Sequence, residues 1–273
     1  MLEKNKIFER LDDRPIAYDH YIPTKPNNKL VIFCHGFKGF KDWGHFPYFC
    51  MELSNHGYEV YAINFSKNGT TVENPDVFAD LEAFSENTFT QEKKDLQEFI
   101  EFAVKDSINE HPGIFLVGHS RGGSIVLLVT AENKMVKGAV CWAAVADLKK
   151  RWEIYDVDTW RKEGVIYVPN SRTGQKMPVK FSAYEDCLKN EDKINVLDHA
   201  KKINVPILLI HGGKDETVPI KEAMSIEQSN PNIELMIFPE AGHTFGSSHP
   251  AGEKVPDEFK QLTISTIEFF NKF

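Results

Sequence analysis

One pentapeptide carries the strongest chemical signal: Gly118-His119-Ser120-Arg121-Gly122, with Gly123 directly after it. It lies between an apolar strand-like run, Ile114–Val117, and an apolar helix-like run, Gly122–Ala131. A serine on a strand-to-helix turn this tight needs small neighbours two positions before and two after, and its hydroxyl then stands exposed at the strand end. The helix N-terminus behind it favours developing negative charge. A serine hydroxyl is a weak nucleophile until a base reaches it and a third group orients that base. Asp215 follows the strand-like run Val205–Ile210, and His243 follows Ile233–Phe238. Both stand just past the end of a strand, where parallel sheets place their sites. Ser120, Asp215 and His243 therefore predict nucleophilic acyl-transfer chemistry.

Other residues compete for these roles. His249, in Gly246-Ser247-Ser248-His249, is a rival base, but no strand directly precedes it. Asp147, after the strand-like run Val136–Trp142, is the runner-up acid. His35, His119 and His211 sit one position from a turn or a candidate residue and read as bracing groups. The ten histidines show no His-Glu-x-x-His spacing, so no catalytic metal is expected. No glycine-rich phosphate loop follows a strand, so no nucleotide and no other cofactor is expected.

The elements that must hold these groups alternate along the chain, which predicts an α/β fold with a mainly parallel sheet covered by helices. Leu30–Cys34 is a continuous apolar run of the kind buried on both faces. Leu96, Phe99, Ile100, Ala103 and Val104 recur at helical spacing within Thr90–Lys105. Ile233–Phe238 reads as a last core strand, and Val255–Phe273 as a closing helix. One segment breaks the rhythm. Residues 144–204 separate two strands expected to be neighbours, far more than the dozen or so residues a crossover needs. Such an excess predicts an inserted lid, with a β-hairpin around Asn170-Ser171-Arg172-Thr173-Gly174-Gln175.

Composition narrows the class. The chain has 273 residues, a net charge of −8 and four cysteines without paired spacing. The acidic balance argues against a nucleic-acid partner, which demands a basic footprint. No apolar run reaches the roughly 18 residues needed to cross a bilayer, so no membrane partner is expected. A charged N-terminal stretch and scattered thiols predict a cytoplasmic protein, monomer or homodimer.

The serine motif, its context and the Ser–Asp–His order resemble the α/β-hydrolase superfamily over nearly the whole chain. Within it, the chain resembles acyl esterases related to dienelactone hydrolases and cinnamoyl esterases, with kinship to prolyl-oligopeptidase-type catalytic domains. The resemblance implies one domain over residues 1–273: a mostly parallel eight-stranded sheet flanked by helices, with the 144–204 lid (cap) after the sixth strand. It also implies an oxyanion hole made by the backbone N–H groups of Phe37, in His35-Gly36-Phe37, and Arg121.

Aromatic residues Phe40 and Trp43 near that loop, and Trp152 and Trp160 in the insertion, are candidate substrate-binding groups. The insertion is also basic, with Lys149, Lys150, Arg151, Arg161, Lys162, Arg172, Lys176 and Lys180. These read first as a solvated face, and as an attraction for anionic substrates second. The expected activity is a serine hydrolase of the carboxylesterase type, cleaving a small-molecule ester of a small acyl or aromatic acid through an acyl-enzyme. An amidase, a thioesterase and a small-peptide peptidase share the triad. A ligand-binding protein on a hydrolase scaffold, with little catalysis, is the reading from another class.

Overall fold

The computed structural model describes residues 1–11, 13–110 and 112–273. Ten strands form in chain order: β1 (Leu2–Phe8), β2 (Ile16–Tyr21), β3 (Lys29–Cys34), β4 (Glu59–Ile63), β5 (Gly113–His119), β6 (Val136–Trp142), β7 (Val165–Pro169), β8 (Lys176–Lys180), β9 (Ile207–Gly212) and β10 (Ile233–Phe238). Eight make one sheet in the order β1-β2-β4-β3-β5-β6-β9-β10, while β7 and β8 pair as a separate antiparallel hairpin. From β4 to β10 every pairing is parallel, and the antiparallel β1 and β2 close one edge. This is the mostly parallel eight-stranded α/β sheet that the sequence predicts.

The central strands are buried on both faces because alternate side chains feed two different cores. Leu30, Ile32 and Cys34 of β3 and Leu116 of β5 enter one core; Val31, Phe33, Phe115 and Val117 enter the other. Helices α1 (Phe46–Asn55), α2 (Leu81–Ser85), α3 (Phe89–Asp106) and α4 (Arg121–Glu132) follow in chain order. The α3 residues Leu96, Phe99, Ile100 and Ala103 pack on the first core with α4. Phe46, Phe49 and Leu53 of α1 cover the second, together with Phe259 and Leu262 of the closing helix 257–270. All four cysteines are free and buried.

Two expectations are refined. Ile233–Phe238 forms a strand, but β10 is the sheet edge: Met236 and Ile237 are exposed, because β10 pairs with β9 on one side only. The insertion between β6 and β9 holds the β7–β8 hairpin and four short helices, 157–163, 182–189, 191–194 and 196–200. Its buried residues Trp160, Met177 and Val179 belong to the same apolar cluster as α3 and α4. Among the described residues, no helix is long and apolar enough to cross a membrane.

Candidate active site

Ser120 occupies a backbone conformation that L-residues avoid, φ 54° and ψ −122°, between β5 and α4. Its amide donates to the Trp142 carbonyl at the end of β6, 2.7 Å away. The glycines of the motif are required by close approach. A Cβ on Gly118 would lie 2.4 Å from the Gly122 carbonyl oxygen, and one on Gly122 would lie 2.4 Å from that of His35. The β5–α4 turn therefore packs backbone to backbone on the loop after β3.

That loop lies against the serine: a Cβ on Gly36 would stand 2.9 Å from Ser120 Cβ. The neutral His35 ring donates from Nδ1 to the Gly36 carbonyl (2.8 Å), and its Nε2 accepts from the Phe65 amide (3.2 Å). Burial pushes the His35 imidazole down to about 4, so it stays neutral in this bracing role. The Phe37 and Arg121 amides have no hydrogen-bond acceptor among the described residues. Unpaired amides beside a serine are costly unless a ligand oxygen completes them, which is the arrangement an oxyanion hole needs.

Asp215 and His243 come together as the sequence predicts. Nδ1 of His243 donates to Asp215 Oδ2 at 2.8 Å. The other Asp215 oxygen accepts from the amides of Thr217 (2.9 Å) and Val218 (2.8 Å). Burial raises the Asp215 carboxyl, but the bond and charge of His243, the Val218 amide and the nearby His211 outweigh it and hold the group below the usual carboxylate range. His119 Nε2 donates to the His243 carbonyl (2.9 Å), bracing the base from behind. Burial, then the His243 charge, pushes His119 down to about 3, so it remains neutral.

Ser120 and His243 line one cavity of about 570 Å³. Ser120 Oγ has no hydrogen-bond partner among the described residues; such contacts commonly tighten only with substrate bound. The rival groups lie elsewhere. Asp147 is exposed and caps the Lys150 amide at 3.0 Å. His249 lines the cavity, but its Nδ1 accepts from the Gly44 amide (3.0 Å), which makes it a brace of the loop after β3. Among the described residues, no group of three or more His, Cys, Asp or Glu is arranged to hold a metal ion.

Two of the four aromatic candidates are corrected. Trp43 and Trp152 line the cavity; Phe40 and Trp160 do not, and both are fully buried. Trp160 is committed to the insertion's interior, where its Nε1 donates to the Val179 carbonyl (3.0 Å). Phe40 packs edge-on against Phe78 and His249, and Lys41, the next residue, is buried in an ion pair with Asp19 (2.7 Å). Sequence reasoning missed Lys38, which lines the cavity and donates to the Pro169 carbonyl of β7 (2.9 Å). It also missed Glu92, the buried partner of the Arg121 guanidinium at 3.3 Å. The Arg121 side chain lies over the Phe37 ring at 4.0 Å, so this residue adds a cation to the cavity wall.

Comparison with known proteins agrees with this architecture. Residues 78–262 match the prolyl oligopeptidase family. The protein provisionally named carboxymethylenebutenolidase in Salmonella typhimurium is 23% identical over 251 residues, covering 88% of this chain and 76% of that protein. The solved structure of Est1E from Butyrivibrio proteoclasticus superposes with a TM-score of 0.74 at 18% identity, covering 98% of this chain and 97% of the other. Pyrococcus horikoshii acylaminoacyl peptidase superposes at 0.68 with 18% identity, covering 97% of this chain but 40% of the peptidase. With its eight-stranded sheet order and the family match over most of its length, the chain belongs to the prolyl oligopeptidase family and has the α/β-hydrolase fold.

Proposed function

We propose that the protein is a cytoplasmic, cofactor-independent serine hydrolase that cleaves a carboxylic ester of a small acyl or aromatic acid. One observation carries this reading: Ser120 sits on a strained elbow, beside the unpaired Phe37 and Arg121 amides, in a cavity shared with the Asp215-bound His243. Ser120 Oγ attacks the ester carbonyl while His243 Nε2 takes its proton. The oxyanion accepts from Phe37 and Arg121 N–H; losing one such donor costs about 3 kcal/mol of transition-state stabilisation in known cases. His243 then protonates the departing alcohol, and a water deprotonated by His243 releases the acid. Asp215 holds the imidazole tautomer and stabilises its charged form.

The ester assignment draws support from neighbours: one Est1E structure is described with ferulic acid bound, and the curated relatives are named for a lactone-opening enzyme. A lined volume of about 570 Å³ suits a small substrate. Family membership favours a second reading, cleavage of a small amide or peptide by the same groups. A fluorophosphonate probe tests the nucleophile: wild type labels and Ser120→Ala does not. No labelling of wild type, or equal labelling of the variant, leaves a binding protein on a hydrolase scaffold. A panel of p-nitrophenyl esters against matched anilides separates esterase from amidase.

A further inference from the structure

Residues 144–204 carry twelve lysines and arginines, and two of them, Arg151 and Arg172, line the cavity rather than the solvated face. Lys38 and Arg121 line it from the body of the domain. Among the described residues no aspartate or glutamate lines it, in a chain whose net charge is −8. The cations differ in how they are compensated. Arg121 is held by Glu92, and Arg151 donates to the Thr217 carbonyl (2.8 Å) with Glu222 at 3.8 Å. Lys38 and Arg172 have no carboxylate partner among the described residues.

These two cations belong to one rim. Lys38 Nζ donates to the Pro169 carbonyl, three residues before Arg172. The hairpin turn is fixed: Asn170 Oδ1 accepts from the Arg172 amide (3.2 Å), and the Asn170 amide donates to the Gln175 carbonyl (2.9 Å). The Arg172 guanidinium lies 5.6 Å and 5.9 Å from the centres of the Phe40 and Phe78 rings. Two lining residues add donors without acceptors: Asn170 Nδ2 and Trp152 Nε1 are both buried and unpaired, in side chains 6% and 3% exposed. Burial pushes the Arg172 guanidinium and the Lys38 ammonium down, and Arg121's charge adds to the effect on Lys38. Cations and orphan donors gathered without an acid are a cost to the free protein that a bound anion removes.

Resting on the hydrolase reading above, we propose that the substrate is an ester bearing a carboxylate, recognised by Lys38 and Arg172 where the oxyanion loop meets the β7–β8 hairpin. A carboxylate on the acyl part and one on the alcohol part share this chemistry. Mono(p-nitrophenyl) adipate against p-nitrophenyl hexanoate tests the acyl side, and p-acetoxybenzoate against phenyl acetate tests the alcohol side.

The expected result is a preference in kcat/KM of at least tenfold for the anion in one arm. Arg172→Gln removes most of that preference, through KM, and Arg172→Lys restores part of it. Lys176→Gln, on the hairpin but off the cavity, leaves the ratio as in wild type. Equal rates in both arms, a ratio that survives Arg172→Gln, or an equal loss in Lys176→Gln overturns the proposal. Tryptophan emission of Ser120→Ala, titrated with the adipate monoester and the neutral ester, separates the two readings. Selective binding of the monoester with no wild-type hydrolysis keeps the anion site and sinks the hydrolase. Hydrolysis without preference does the reverse.

Discussion

Two imidazoles are held by buried carboxylates at opposite ends of one sheet. His243 and Asp215 meet at 2.8 Å beyond the C-terminal ends of β10 and β9; His20 and Glu59 meet at 2.8 Å where β4 begins. Glu59 accepts from His20, Tyr61, Ser107, the Ile108 amide and Asn109, and the His20 ring stacks on Tyr61 at 4.1 Å. Asp215 takes fewer donors, and the imidazole it holds lines a cavity with a serine. The pair chemistry is the same. What differs is what the imidazole faces: an aromatic ring at one end, and a cavity lined by Ser120 at the other.

The largest effect expected is at the serine end. Ser120→Ala and His243→Ala should each lower kcat on p-nitrophenyl butyrate by several orders of magnitude, with no comparable change in melting temperature. Unchanged turnover in His243→Ala, with His249→Ala inactive, would transfer the base role to His249. Next comes Asp215→Asn, where a drop on the order of 10⁴-fold is expected because the imidazole tautomer is lost. Asp147→Asn should leave turnover intact; the opposite ranking would move the acid one strand earlier.

At the other end, Glu59→Ala should lower stability by about 3 kcal/mol, read as a fall in the urea midpoint, because it strands several buried donors. Its kcat should match wild type; a parallel loss of turnover would erase the contrast between the two ends. The smallest effect is a slope. Burial raises the Glu59 carboxyl, but the bonds from His20 and Ser107 hold it below the ordinary glutamate range. A depressed folded-state value gives stability that is present above the unfolded value and lost as the pH falls through the folded one. Urea midpoints of wild type should therefore decline below the glutamate range, and Glu59→Gln should flatten that decline.

Much of this was legible in the chain. The ranges 136–142 and 233–238 emerge from apolar runs alone, and the serine, aspartate and histidine from their place after strands. What could not be read depended on distant contacts. An apolar run looks alike at the centre and the edge of a sheet, so the exposed flank of β10 gave no signal. Phe40 and Trp43 lie in one loop, and only their tertiary packing tells the buried ring from the one that lines the cavity. Trp152 and Trp160 differ likewise because the Val179 carbonyl claims the second indole. Lys38 and Arg172 are far apart in sequence, and tertiary contacts join their segments: the Lys38–Pro169 bond and the Arg172 guanidinium over the Phe40 ring.

The shared apolar cluster of the insertion, α3 and α4 bears on how the cavity opens. A cap with its own core could swing as a rigid body on a hinge. Here Trp160, Met177 and Val179 are continuous with the body of the domain, so such a swing would tear a hydrophobic interior. Residues 144–204 thus share one hydrophobic interior with α3 and α4. The Trp160 indole proton should accordingly exchange with solvent only on the timescale of global unfolding, a cooperativity that a hinged cap would not show.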